Sequence, residues 1–299
     1  MSKTLIQMDV TPTGMRLNDW VAQQEGFFAA EGLEVHVDWD LLERQRARQG
    51  NREDTDYDDI KDLRLGKFLP KSEMTTACSW GVNSMAGSGM GKIIPGVYGI
   101  SPCVIFVATD SKIRTPADLR GVEIGVGLRA GSHFSALNML EDHLPLEQIK
   151  VVNTGGFTAC LQALIDRDVE AACLLPPQIY MAPQLGMRAV VSGEFKTLWW
   201  INDETADPDH MERYLRAMDR AEEALEEDLE RYLPLWEQST SDSLKKYDFD
   251  YTTFGRGERF VREPLDRAEF EQLIAQSNRW GLDNHVTERS YEKLVYSVS

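Results

Sequence analysis

Thr115-Pro-Ala-Asp-Leu-Arg-Gly-Val-Glu-Ile-Gly-Val-Gly-Leu-Arg-Ala-Gly-Ser-His133 is the stretch whose reading decides the fold. Thr115-Pro116 with Asp118 is a capped turn, and Ile124–Val126 is a short buried strand. Gly127 to Gly131 is a glycine-containing loop that opens a helix at Ser132. A strand feeding a helix through such a loop is half of a β-α-β unit. The loop also aims free N–H groups and the positive end of a helix at whatever lies in front of it, which is an anion-holding arrangement.

The same alternation extends in both directions. Leu5–Val10 reads as a first strand, Leu17–Ala30 as a helix stopped by Gly32, and Leu33–Trp39 as a half-buried strand. Met74–Trp80 is an apolar strand that runs into a helix start at Gly81 to Gly87. Ile93–Tyr98 and Cys103–Thr109 follow as strands. Downstream come a strand at Lys150–Val152, a helix at Ala159–Arg167, a buried strand at Ala171–Leu175 and another strand at Ala189–Val191. His210–Gln238 is a long amphipathic helix or helix pair with Met211, Tyr214, Leu215, Met218, Ala221, Leu225 and Leu229 on one stripe. Residues 43–73 are polar and of mixed charge, the pattern of a solvated insertion. Alternating strands and helices predict an α/β fold with mostly parallel sheet.

The chain has 299 residues, enough for two lobes with substantial cores. Its net charge of −17 argues against nucleic acid or an anionic membrane surface as partner, but leaves room for a small anion in a local pocket. The longest uncharged run, Met74 to Gly91, is broken by Asn, Gly and Ser, so no membrane-spanning segment is expected. The start Met-Ser-Lys-Thr has no apolar leader. As it reads, the chain is expected in the cytoplasm, or in the periplasm or at the cell surface if a signal was trimmed. Cys78, Cys103, Cys160 and Cys173 form no CxxC pair and read as reduced, buried thiols.

Three segments, in order and in register, resemble the solute-binding proteins of nitrate, sulfonate and taurine ABC importers. Trp20 to Val35 is similar to the family's "A-x-x-x-G-F-F-x-x-x-G-L-x-V" opening. Ile113 to Val126 is similar to "I-x-T-P-x-D-L-x-G-K-x-I-x-V", and Leu161 to Ala172 to "A-L-x-x-G-x-V-D-A". The chain departs from these patterns at Glu123, Asp168 and Glu170. The resemblance implies a two-lobed type II periplasmic-binding-protein-like fold, each lobe a mostly parallel sheet flanked by helices. Its expected division is residues 1–105 in the first lobe, 106–198 in the second, and 199–299 returning to the first lobe with C-terminal helices. It also implies a small anionic organic ligand, a carboxylate or sulfonate, with an ABC permease as partner if the protein is exported.

In a two-lobed α/β protein the ligand sits where strands end. The polar residues at predicted strand ends are therefore the candidates: Thr11, Thr13 and Arg16; Ser79, Trp80 and Asn83; Arg129, Gly131, Ser132 and His133; Pro176 and Gln178. Gly131 allows close backbone approach, Ser132 is expected to cap its helix, and Arg129 offers a forked donor to acid oxygens. Trp80 offers an aromatic wall and Asn83 an amide. No metal-ligand spacing, Walker loop, GxGxxG or GxSxG is present, and no cofactor or metal is expected. An alternative on the same scaffold is a cytoplasmic lyase or decarboxylase of an organic acid, with His133, Asp9 and His36 as acid/base candidates. The resemblance extends to desulfinases of this fold, which carry a cysteine just after the first strand; here that position reads Met8-Asp9-Val10-Thr11.

Overall fold

A computed structural model describes residues 5–37, 72–202, 207–281 and 288–296. The polar insertion read at 43–73 lies outside the described residues, except for Ser72 and Glu73. The opening β-α-β unit forms as expected: β1 (Ile6–Thr11) lies parallel to β2 (Leu33–Val37) with Ile6 opposite Leu33. The helix between them is not continuous. Gly26 takes a left-handed conformation at φ 72°, and splits the run into α1 (Asn18–Gln24) and α2 (Phe27–Ala30). Apolar spacing alone does not reveal that break, because both pieces keep their apolar side chains inward.

β3 (Met74–Cys78) runs beside β1 and turns directly into α3 (Ser79–Gly87). The two strands read at Ile93–Tyr98 and Cys103–Thr109 are one strand, β4 (Lys92–Ala108), with a register irregularity between Ile93 and Tyr98. Further along come β5 (Glu123–Val126), α4 (Gly131–Leu140), β6 (Lys150–Asn153), α5 (Phe157–Ile165), β7 (Ala171–Leu174) and α6 (Gln178–Gln184). The short strand read at Ala189–Val191 belongs to a longer one, β8 (Met187–Ile201). A short β9 (Arg259–Val261) pairs with the middle of β4.

The described strands make a single sheet in the order β2-β1-β3-β8-β4-β7-β5-β6, with β9 added on β4. Parallel pairs from β-α-β units occupy its two ends: β2-β1-β3 at one and β7-β5-β6 at the other. The long antiparallel pair β4 and β8 joins them. β8 meets β3 through Thr197 to Ile201, and β4 meets β7 through Val104 to Val107, so each long strand serves both ends.

Helix α7 (Pro208–Glu227) covers the β1 end. Its predicted stripe is buried from Met211 to Leu225, and Tyr214 stacks on Phe28 with ring centroids 5.2 Å apart. Asp207 caps it by accepting from the N–H of Asp209. It is followed by α8 (Leu229–Tyr232), α9 (Arg267–Arg279) and α10 (Tyr291–Leu294). Helix α9 ties distant elements together. Gln276 accepts from the Trp80 indole N–H at 3.1 Å and donates to Glu141 at 3.0 Å, while Arg279 grips both Glu141 oxygens at 2.8 Å. Partial burial alone would raise the Glu141 carboxyl, but Arg279, Gln276 and Trp280 hold it below the usual carboxylate range.

Candidate functional site

The ends of β3, β5 and β7 and the interior of β8 meet around Gly131, the first residue of α4. A Cβ placed on Gly131 would lie 3.3 Å from Leu175 Cδ1, 3.4 Å from Phe195 Cζ and 3.5 Å from Cys78 Cβ. Glycine is used here for close approach, because its backbone has no positive φ. Cys78 precedes Ser79, the first residue of α3, and Leu175 precedes Pro176 and Gln178. The candidates predicted at three separate strand ends therefore share one junction. The N-termini of α3 and α4, of nine and ten residues, are neighbours there.

Loop 127–130 owes its shape to side chains that were read as ligand-facing. Ser132 is the second helical residue, and the cap position is Ala130, in extended conformation. Its hydroxyl reaches back to accept from the Gly127 N–H at 2.9 Å, so the expected cap becomes a brace for the loop. Arg129 sits at φ 55°, a left-handed conformation that costs a non-glycine residue on the order of 1 kcal/mol. The His133 ring offsets this by accepting the Arg129 N–H on Nδ1 at 3.0 Å. His133 itself is buried against Phe134, with ring centroids 5.8 Å apart.

Trp80 is walled in. It stacks on Phe134 at 5.4 Å and on Phe195 at 6.0 Å, with Trp280 at 5.7 Å. It welds α3 to α4 and to the C-terminal segment and leaves little face for a ligand. Beside it, Phe195, Lys196, Glu269, Leu273 and Gln276 help line a cavity of about 320 Å³. The ammonium of Lys196 already holds Glu269 at 2.5 Å.

A second polar cluster lies at the end of β1. Thr13 donates its N–H to Thr76 Oγ1 at 2.9 Å and its hydroxyl to Glu258 at 3.3 Å. Thr11 shares a 2.6 Å hydrogen bond with Ser72. Arg16 is 1% exposed, with Nε on Asp19 at 2.6 Å, Nη1 on Glu258 at 2.8 Å, and its guanidinium 4.6 Å from the Trp199 ring centre. Only Nη2 has no hydrogen-bond partner. Burial alone would discharge Arg16, but Asp19 and Glu258 more than offset it and hold the charge. Burial pushes the Glu258 carboxyl up, with Arg16 opposing. Tyr214 donates its hydroxyl to Asp19. The charge of Arg16, read as a ligand-holding group, is thus balanced inside the protein.

Sequence reading missed Glu258 altogether. Its one local signal is the run Gly255-Arg256-Gly257-Glu258, where glycines let the backbone pass close to Tyr180 and Trp236. Tyr180 accepts the Gly257 N–H at 3.0 Å, linking α6 to this segment.

Several buried polar groups of the described residues remain unanswered, and some of them belong to the segments around the Gly131 junction. Ser79 Oγ, both amide atoms of Asn83, Gln178 Oε1 and Thr75 Oγ1 have no hydrogen-bond partner. Ser79 and Asn83 are one turn apart on α3 and so share a face. Pro176 joins Pro177 by a cis peptide bond just before Gln178. The acid/base candidates do not gather: Asp9 and His36 are paired neighbours on β1 and β2, where His36 bonds Gln7, while His133 lies at the α4 junction. All four cysteines are buried and unbridged; Cys103 donates to the Met139 sulfur at 3.8 Å, and burial pushes its thiol up to about 12. Among the described residues no group of three His, Cys, Asp or Glu could hold a metal ion, and no helix is long and apolar enough to cross a membrane.

No protein-family model and no curated protein sequence matches the chain. Solved structures do match it along almost its whole length. The periplasmic aliphatic sulphonate binding protein SsuA from Escherichia coli is 12% identical with a TM-score of 0.68, covering 97% of both chains. The Candida albicans CA3427 gene product, which exhibits the generic periplasmic binding protein structural fold, is 11% identical with a TM-score of 0.62 over 98% of this chain and 96% of that one. The desulfurization enzyme DSZB is 17% identical with a TM-score of 0.58, again over 97% of both. At such identities the likeness is one of fold. The chain has the two-lobed periplasmic-binding-protein fold that its sequence patterns resemble.

Proposed function

We propose that the chain binds a small organic acid between two lobes, with the acid group at the N-terminus of α4. The observation that carries this reading is the junction at Gly131, against which Cys78 and Leu175 pack, because the segments that leave those two residues carry the buried, unanswered polar atoms of Ser79, Asn83 and Gln178. A buried polar group without a partner costs about 1–3 kcal/mol, which a bound ligand would recover. Arg129 and the first N–H groups of α4 supply positive character for an acid oxygen. The lobes divide near residues 105 and 198, within β4 and β8, and closure bends those two strands. If the chain works outside the cytoplasmic membrane, its partner is an importer permease.

A lyase or decarboxylase on the same scaffold is the second reading. It is favoured by Cys78 and His133, both of which border the Gly131 junction. One experiment separates the two. The protein is titrated calorimetrically with aliphatic and aromatic carboxylates and sulfonates, and each mixture is followed for product. Saturable binding without turnover supports the binding protein, product formation supports the enzyme, and no heat with any acid at millimolar concentration overturns both.

A further inference from the structure

Asn83 is 1% exposed, and among the described residues neither its amide nitrogen nor its amide oxygen has a hydrogen-bond partner. Most buried amides in proteins find at least one partner, so a doubly unanswered one requires an explanation. Packing does not provide it. On α3, Val82, Met85 and Ala86 turn into an apolar cluster with Leu198, Trp200 and Phe270, while Trp80 turns to Phe134 and Phe195. Asn83 falls on the stripe between those two faces, one turn beyond Ser79, whose buried hydroxyl is also unanswered. Ser79 in turn follows Cys78, the residue against Gly131. Gln178, three residues beyond the Leu175 that packs on Gly131, carries a buried acceptor, its Oε1, with no donor to meet it.

We infer that Asn83, with Ser79 and Gln178, reads a second polar group on the ligand, one that presents a donor and an acceptor side by side. An amide side chain offers N–H and C=O on one edge, so its complement is another such edge: a primary carboxamide or a lactam. The ligand class is then a small acid carrying a carboxamide or lactam a few bonds from the acid group, rather than a plain alkyl or aryl acid. The acid end lies at α4, and the amide edge lies along α3. Gln178 Oε1 accepts the remaining N–H of a carboxamide. This inference rests on the cleft reading above.

The test uses matched pairs of acids: butyrate against succinamate, benzoate against 4-carbamoylbenzoate, and cyclopentanecarboxylate against pyroglutamate. In at least one pair the amide-bearing member is expected to bind about ten- to a hundredfold tighter by calorimetry, because a site built for hydrogen bonds discriminates against an analogue that lacks them. Asn83→Leu is expected to erase that preference. The free Asn83→Leu protein should also melt higher, by about 2–6 °C, since an apolar side chain of similar size removes two unpaired buried groups. Asn83→Asp, which keeps the acceptor and removes the donor, should lose the preference without that gain. If plain and amide-bearing acids bind alike, or if Asn83→Leu keeps the preference or melts lower, the inference falls and the cleft reading stands. If no acid of either kind binds, the cleft reading falls and takes the inference with it.

Discussion

Two polar clusters stand at strand ends in this fold, and they differ in how far their groups are answered. At the end of β1, Arg16 is matched by Asp19 and Glu258, Thr13 by Glu258 and Thr76, and Asp19 by Tyr214. In the segments that leave the Gly131 junction, Ser79, Asn83 and Gln178 are also buried, yet the Ser79 hydroxyl, both Asn83 amide atoms and Gln178 Oε1 have no hydrogen-bond partner among the described residues. Residue types that look alike in sequence thus divide by role. The first cluster spends its polarity on holding β1, α7 and the segment around Gly257 together. The second keeps its polarity in reserve at the mouth of α3 and α4, which is why the ligand is proposed there.

The sharpest way to break this contrast is Arg16→Met. Removing one partner of a buried pair leaves Asp19 and Glu258 uncompensated and should cost about 3–5 kcal/mol in urea unfolding. Ligand affinity measured on the folded fraction should change little. A small stability loss with a large affinity loss would exchange the roles of the two clusters.

Arg129→Ala tests the other side. It should weaken binding of the acid by about 1.5–3 kcal/mol in calorimetry while leaving the urea midpoint near that of the parent. Unchanged affinity would remove Arg129 from the site.

Gly131→Ala asks how tight the junction is. Its new methyl would meet Leu175 and Phe195 at 3.3 and 3.4 Å, so a modest loss of about 1 kcal/mol in stability is expected, together with weaker binding. A stabilised variant with intact binding would show that the junction opens freely.

The smallest effect is a pH slope. Burial raises the folded-state pKa of Glu258 above its unfolded value. Its contribution therefore favours the folded protein below the unfolded carboxylate range, and is lost as pH climbs through the raised value. Unfolding free energies measured across mildly acidic to neutral pH should show this decline in the parent and a flatter profile in Glu258→Gln. An identical slope in both would assign the effect to another group.

The resemblance of the opening helix and of the Ile113–Val126 and Leu161–Ala172 segments was sufficient to anticipate the two-lobed fold, and the α7 stripe was readable from helical spacing. Strand boundaries were less legible. β4 and β8 read as fragments because their middles are punctuated by Gly96, Pro102 and Gly193, which a long antiparallel pair absorbs with an irregularity in register. Strand-end logic points to the groups around Ser79, Gly131 and Gln178 as candidates. That the neighbouring Cys78 and Leu175 both pack on Gly131 is not legible in the sequence, because it depends on contact between segments nearly a hundred residues apart.

Local sequence thus determined which residues could hold a ligand: small, polar or basic side chains placed where strands run into helices. Tertiary structure decided which of them remain free to do so. Arg16 lost that role to Glu258, 242 positions away, and Ser132 and His133 turned inward to brace their loop. Asn83 kept both ends of its amide unpaired. The reason is physical: a side chain's chemistry is local, but whether a buried polar group is answered depends on what the rest of the chain places against it.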